Sequence, residues 1–311
     1  MPDQTPSTPL PDDLDPDDPT FVYDEMAFFG ENCAEYGIDV DGEVAVQRIE
    51  HRLADGRALR ALRWGTGPVS AVFLHGGAQN AHTWDTVVLA LGQPSVIAID
   101  LPGHGHSEPS VDGADPRSNA EAVISAIGEW CDEPVLLIGM SLGGLSATAV
   151  AAAAPELIRS LVVIDVTPGV NNDKAKDVIA FIAGPQAFPT FGEIFDRTVE
   201  FNPTRTATSL RRGILHNAHR MADGSWEWNY DRRPMAVERL RIGVNLWEDV
   251  SATTCPYLLV RGATSPVVDD DDVAELLRLR PDATVVVIDG AGHSIQGDKP
   301  LELAALIRPM L

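Results

Sequence analysis

The pentapeptide Gly139-Met140-Ser141-Leu142-Gly143 is the most informative stretch of this chain. It follows an apolar run, Pro134 to Ile138, and precedes a helix-like run of small residues, Gly144 to Ala154. A serine between glycines at a sharp turn from strand to helix is typical of a nucleophile elbow. Glycines relieve the crowding there because they have no Cβ, and a helix N-terminus stabilises negative charge that develops nearby. The pattern predicts that Ser141 is a catalytic nucleophile; the alternative is a structural Gly/Ser turn.

A serine nucleophile needs a general base, and the base needs an acid that orients it. His293 is the candidate base, since it lies in Gly290-Ala-Gly-His-Ser294 directly after Thr284 to Asp289, which we interpret as the last strand. A glycine-flanked histidine beyond a C-terminal strand suits a loop that brings the imidazole over the serine. The alternative is a histidine in an ordinary glycine turn.

Two positions compete for the acid, which should lie between the serine and the histidine in the chain. Asp165 ends the apolar run Arg159 to Asp165. The other position follows Tyr257 to Gly262, but it holds Ser265, which is neutral and cannot stabilise an imidazolium as a carboxylate does. Asp269 to Asp272 come later and are expected to begin a helix. We therefore predict Asp165 as the acid.

An oxyanion hole needs two backbone N–H donors. Leu142, directly after the nucleophile, is predicted to supply one, and Gly77, in the loop after the apolar run that ends at Leu74, the other. His75 in that loop is expected to be structural and to hold it by a side-chain hydrogen bond. The candidates for the substrate pocket are Gln79, Asn80, His216, Asn217, Trp226 and Trp228. The alternative for the polar ones is loop stabilisation, and for the aromatic ones a core of their own.

Apolar strands alternate with helical segments along most of the chain, which predicts an α/β fold with a mostly parallel central sheet and helices on both faces. The functional residues then meet at the carboxyl ends of the strands. Two runs joined by a turn at residues 54–56, Val44 to Arg52 and Ala58 to Trp64, predict a β-hairpin. The predicted division is a disordered acidic tail (1–20), an N-terminal helix (21–39), a core (40–167 and 251–311) and a helical cap (168–250).

Five separated motifs carry a family resemblance: Leu74 to Gly77, Asp100 to Ser107, Gly139 to Gly144, Leu161 to Pro168 and Gly290 to Ser294. On these motifs the chain resembles an α/β-hydrolase from roughly residue 40 to residue 311, and more narrowly a small bacterial and actinobacterial carboxylesterase group. In that group the acid follows the sixth strand, which implies Asp165. The segments 211–217 and 226–230 are similar to the cap of that group.

The amino-acid composition indicates which binding partners and which cellular compartment to expect. The 311 residues include 46 acidic and 23 basic side chains, a formal net charge of −23, which disfavours nucleic acid and anionic membranes. There is no apolar run of about 18 residues and no signal-peptide pattern. The widely spaced Cys33, Cys131 and Cys255 indicate free thiols and a cytoplasmic protein. We expect no cofactor, no metal, and a monomer or small homo-oligomer.

These features together predict a serine carboxylesterase that acts on short- to medium-chain esters of small molecules through an acyl-enzyme. The same residues also suit hydrolysis of C–C or thioester bonds and acyl transfer, since the fold does not decide among them. A ligand receptor without catalytic activity is the alternative from another class.

Overall fold

The computed structural model describes residues 15–40, 42–109, 115–230 and 246–311. The predicted tail up to residue 14 and the predicted cap residues 231–245 lie outside the described residues. The strands are β1 Val46–Arg52, β2 Ala58–Trp64, β3 Ala71–Leu74, β4 Val96–Asp100, β5 Val135–Met140, β6 Ile158–Ile164, β7 Ala187–Phe188, β8 Ala218–Arg220, β9 Trp226–Trp228, β10 Tyr257–Gly262 and β11 Thr284–Ile288. The helices are α1 Phe29–Tyr36, α2 Asp85–Ala90, α3 Pro116–Trp130, α4 Leu142–Ala153, α5 Lys176–Ile182, α6 Phe191–Phe201, α7 Ala207–Asn217, α8 Leu246–Ala252, α9 Asp270–Leu279, α10 Ile295–Asp298 and α11 Pro300–Ile307. No helix within these described ranges is long and apolar enough to cross a membrane.

Eight strands form the central sheet in the order β1-β2-β4-β3-β5-β6-β10-β11. The predicted hairpin is confirmed, because β1 and β2 pair in antiparallel fashion from Val46 opposite Trp64 to Arg52 opposite Ala58. Strand β2 also pairs antiparallel with β4, and from β4 to β11 all neighbours are parallel. Every residue of β3, β4 and β5 is buried, as continuous apolar strands covered on both faces require. The mostly parallel sheet of the predicted fold class is therefore confirmed.

Two apolar layers hold the helices against the sheet. Helices α3, α4, α8 and α9 share a buried cluster with one face, and α1, α2, α10 and α11 share a second cluster with the other. Helix α8 begins inside the predicted cap, but its Leu246 and Val250 pack in the first core cluster. The last residues of the predicted cap therefore pack with the core.

The turn from β5 to α4 is sterically tight. A Cβ on Gly139 would lie 2.2 Å from the carbonyl oxygen of Gly143, and a Cβ on Gly143 would lie 2.4 Å from that of Leu74. Both contacts are with backbone atoms, which cannot move without displacing a strand or the helix. Ser141, between the two glycines, has φ 51° and ψ −119°, in a region that L-residues rarely adopt. The glycines are thus needed for close approach of the chain.

The segment between β6 and α8 forms a separate apolar cluster that includes Phe191, Trp226 and Trp228. It contains helices α5, α6 and α7 as predicted, but also a small antiparallel sheet of order β7-β9-β8 that the sequence did not predict. These strands are two or three residues long, too short for a periodic pattern to show. The segment is therefore mostly helical, with a small sheet added.

The N-terminal segment from residue 15 to residue 36, called the N-terminal arm below, differs from its prediction. Its helix is only α1, at the end of the predicted range 21–39. Residues 15–20, predicted as disordered tail, form turns, and the carboxylate of Asp17 accepts hydrogen bonds from the Phe191 N–H at 3.0 Å and the Trp226 indole at 2.9 Å. Further along the arm, Glu31 pairs with Arg211 of α7. The arm is thus bound to the cap segment by polar contacts.

We predict that Gly139→Ala lowers the free energy of unfolding by about 3 kcal/mol or more, because its Cβ would overlap backbone that cannot yield. Gly128→Ala is the matched control. Gly128 is exposed in α3 and a Cβ there meets nothing within 4 Å, so this variant should gain up to about 1 kcal/mol from helix propensity. Urea unfolding of both variants measures this, and equal stabilities would contradict the close approach at Gly139.

Candidate active site

Three of the predicted site residues meet at the carboxyl ends of β5, β6 and β11. The Nε2 atom of His293 lies 3.1 Å from the Oγ of Ser141, and its Nδ1 atom lies 2.8 Å from the Oδ2 of Asp165. These distances allow a hydrogen-bonded relay from the hydroxyl through the imidazole to the carboxylate. Asp165 is completely buried, whereas the His293 side chain is 17% exposed. The imidazole therefore has one edge against a buried carboxylate and is partly accessible to solvent.

The carboxylate of Asp165 is held by groups from β10 and the loop after it. Its Oδ1 accepts the Gly262 N–H at 2.9 Å, and its Oδ2 accepts the hydroxyl of Ser265 besides contacting His293. The Asp165 backbone has φ 49°, a conformation that aspartate tolerates better than most residues. Ser265, the alternative position for the acid, thus donates a hydrogen bond to the carboxylate of Asp165.

The loop that carries His293 lies directly on β10. A Cβ on Gly262 would be 2.2 Å from the carbonyl oxygen of Gly292, so this close approach requires glycine. The Gly292 N–H donates to Asp298 at 2.9 Å. These contacts place the imidazole ring above Ser141.

The candidate oxyanion loop follows β3. The Nδ1 of His75 lies 2.7 Å from the Gly76 carbonyl, and its Nε2 accepts the Leu101 N–H at 2.9 Å, which confirms the structural role predicted for His75. Burial lowers its pKa to about 3, so the ring is neutral. Gly77 lines the pocket at Ser141. Leu142 is the first residue of α4, so its N–H has no acceptor within the helix.

A pocket of about 330 Å³ opens above Ser141 and His293, within the size range of small-molecule sites. The cap supplies most of an apolar wall, which consists of Val178, Phe181, Ile182, Leu210, Ile214 and Trp228, with Val267 from the core. Polar groups of Asn202, Thr204, Arg205 and Ser209 line another part. The pocket therefore combines an apolar and a polar side at one nucleophile.

The six candidate pocket residues lie in three different places. Gln79, Asn217 and Trp228 line the pocket at Ser141. Asn80 and His216 do not; they line a neighbouring cavity, because Asn80 is turned to the His216 carbonyl by a hydrogen bond of 2.8 Å. Trp226 lines neither space, since its ring packs on Phe191 and its indole donates to the N-terminal arm. The pocket at Ser141 thus includes three of the six candidates, and it is also lined by Arg205, which no sequence motif singled out.

His82, Asp85 and His216 form a buried cluster whose ligating atoms lie within 4.8 Å of one another, the only such group among the described residues that could hold a metal. The two rings are stacked, with centroids 3.8 Å apart and 10° between their planes. A ring nitrogen binds an ion in its own plane, so these parallel rings cannot share one as they stand. Hydrogen bonds account for much of the cluster instead: His82 contacts Asp85 at 2.8 Å and Glu25 at 3.0 Å, and His216 contacts the Tyr23 hydroxyl at 2.6 Å.

The alpha/beta hydrolase family matches residues 71–306 of this sequence. The chain belongs to the alpha/beta hydrolase family. The resemblance carried by the five sequence motifs is thereby confirmed. In this chain the eight-stranded sheet occurs together with the tight turn at Ser141 and the loop that carries His293.

Individual relatives cover nearly the whole chain. It is 40% identical to the esterase Rv0045c of Mycobacterium tuberculosis, over 95% of this chain and 98% of that protein. A crystal structure of that esterase matches with a TM-score of 0.77 and 39% identity, over 92% of this chain and 97% of the other. The chain is also 28% identical to the 2-(acetamidomethylene)succinate hydrolase of Mesorhizobium japonicum, over 85% of this chain and 95% of that protein.

We predict a pH-dependent contribution of His82 to stability. Burial alone would lower its pKa, but the Asp85 and Glu25 carboxylates outweigh this and raise the pKa to about 9, above the value of about 6.5 for an unfolded chain. Protonated His82 therefore contributes fully to the free energy of unfolding below pH 6.5, and this contribution is lost as the pH rises to about 9. The loss is up to about 1.4 kcal/mol per pH unit.

The difference in unfolding free energy between the native protein and His82→Gln, measured from pH 6 to pH 10, should accordingly shrink over this window. His219→Gln is the control, since His219 is exposed. A difference that stays constant with pH for His82→Gln would show that His82 is not charged in the folded protein.

Proposed function

We propose that this protein is a carboxylesterase that hydrolyses short- to medium-chain esters through an acyl-enzyme on Ser141. The observation that carries the proposal is the relay Ser141–His293–Asp165 at the base of the pocket, with distances of 3.1 and 2.8 Å. The similarity to a protein named as an esterase, over nearly the full length of both chains, supports the same reaction class.

In the first half of the proposed reaction, the Oγ of Ser141 attacks the ester carbonyl and passes its proton to the Nε2 of His293. The Asp165 carboxylate keeps the ring in the required tautomer through Nδ1 and stabilises the imidazolium. His293 then gives the proton to the departing alcohol. Three groups contact the buried carboxylate of Asp165, namely the Gly262 N–H, the Ser265 hydroxyl and the His293 ring.

The N–H groups of Gly77 and Leu142 would stabilise the tetrahedral oxyanion. In the second half, His293 takes a proton from water, and the resulting hydroxide attacks the acyl carbon. The bond to Ser141 then breaks as His293 returns the proton to the Oγ of Ser141. The apolar wall under the cap favours an acyl chain of limited length, because a pocket of 330 Å³ is at the small end of ligand sites.

The proposed setting is a cytoplasmic enzyme acting on small molecules as a monomer or small homo-oligomer. Cys33, Cys131 and Cys255 are free thiols, which suits a reducing compartment. The net charge of −23 disfavours polyanionic partners.

Initial rates on p-nitrophenyl esters from acetate to palmitate test the reaction and size the acyl site. We expect the maximum at short or medium chains and a loss of about 10⁴-fold or more in Ser141→Ala, without a comparable loss of stability. Turnover that does not depend on Ser141 at any chain length would favour C–C hydrolysis, acyl transfer or ligand binding instead.

The acid is tested by comparing Asp165→Asn with Ser265→Ala. Asp165→Asn should lower kcat by about 10³- to 10⁴-fold, since the amide cannot stabilise the imidazolium. Ser265→Ala removes one of three donors to the carboxylate and should cost about tenfold at most. The reverse order in kcat would mean that the acid has been assigned to the wrong residue.

A further inference from the structure

A second cavity, of about 130 Å³, lies beside the pocket at Ser141; it is called the polar cavity below. Five residues line both spaces and so form the boundary between them: Gln79, Arg205, Ser209, Gly213 and Asn217. The Oε1 of Gln79 and the Cβ of Ser141 both lie 3.3 Å from the position that a Cβ on Gly76 would take. The boundary is therefore close to the nucleophile.

The polar cavity borders the segment that follows His293 in the chain. Gln296 and Gly297 line it, and they follow His293 by three and four residues. In ester hydrolysis the histidine gives its proton to the alcohol oxygen, so that oxygen must face the imidazole. A leaving group that runs from this oxygen along α10 would enter the polar cavity.

The side chains around the polar cavity hold hydrogen-bonding atoms that have no partner within the described part of the chain. Two are acceptors, Asp85 Oδ1 and Gln296 Oε1, and a third is the Nε–H donor of Arg205. The fourth is His216 Nε2, which is a donor when the Tyr23 hydroxyl donates to Nδ1 of the same ring. Asp85, Gln296 and His216 are 2%, 1% and 7% exposed, and buried polar groups left unpaired cost free energy.

The mixture of donors and acceptors restricts the ligand. An anion would meet the carboxylate of Asp85, a cation would meet the guanidinium of Arg205, and an alkyl group would leave all four atoms unpaired. A hydroxyl group both donates and accepts, so it suits a lining in which donors and acceptors are mixed. The polar cavity is also larger than a single water molecule requires.

We propose that the polar cavity is the leaving-group subsite and that it takes a small polyhydroxylated alcohol, so that the substrates are monoesters of small polyols. This inference rests on the proposed esterase function. The acyl chain occupies the apolar wall of the pocket, the ester carbonyl lies at Ser141, and the polyol reaches past Gln79 and Arg205 to Gln296.

A matched pair of esters tests the proposal: glyceryl 1-monobutyrate and propyl butyrate. They share the acyl group and a three-carbon alcohol and differ in two hydroxyl groups. We expect kcat/KM, from titration of the released acid, to be about tenfold higher for the glyceryl ester, as two modest hydrogen bonds would give. A ratio of one or less in the native protein would overturn the subsite.

Variants show whether the preference arises in the polar cavity. Gln296→Leu should bring the ratio of the two kcat/KM values to within about threefold of one. Gln47→Leu is the control, because Gln47 is exposed on β1 and lines neither space, and it should keep the native ratio. Equal ratios in the two variants would contradict the assignment.

Gly213→Met provides a test that does not remove a hydrogen bond. A Cβ on Gly213 meets nothing within 4 Å, so the methionine can extend into the boundary between the spaces without displacing α7. It should lower the ratio at least threefold relative to Gly213→Ala. A ratio unchanged by the larger side chain would count against passage of the polyol at this point.

Two experiments separate a failure of the esterase proposal from a failure of the leaving-group subsite. If neither ester is hydrolysed in a Ser141-dependent way, the esterase proposal fails. Crystals of Ser141→Ala grown with glyceryl monobutyrate then decide the subsite by themselves. The glyceryl group in the polar cavity supports it, and water alone there overturns it.

Discussion

The backbone of Ser141 is the constraint on which the rest of the site depends. Its conformation, φ 51° and ψ −119°, is costly for a residue with a side chain, and it persists because the neighbouring chain fixes it. The Ser141 N–H donates to the Ile164 carbonyl at 3.0 Å, which ties the elbow to the end of β6. Asp165 is the residue directly after that strand, so the contact that holds Ser141 also fixes the position of Asp165.

Asp165 and His293 differ in how firmly the surrounding structure holds them. Backbone and hydroxyl donors hold Asp165 from within the core, so its position costs no reorganisation during a reaction. His293 lies on a loop and is partly exposed, as a proton carrier between two groups should be.

The strand ends and the helices of the cap segment were predictable, whereas the contacts between that segment and the N-terminal arm were not. Ser141, Asp165 and His293 each end or follow an apolar run, and parallel strands bring their carboxyl ends to one edge, so local pattern and topology suffice. By contrast, His216 is drawn away from the pocket by Tyr23, 193 residues earlier in the chain, and Trp226 by Asp17, 209 residues earlier. No local period encodes such pairings, and strands as short as β7 carry no alternation to detect.

The N-terminal arm has a consequence for the order in which the protein is assembled. Synthesis begins at the N-terminus, yet Asp17 has no access to the Phe191 N–H or the Trp226 indole, and Glu31 none to Arg211, until those later residues have left the ribosome. Contacts of such sequence separation close large loops and form slowly. The arm is therefore made before the residues that it binds, and it can hold the cap segment only once that segment has been made.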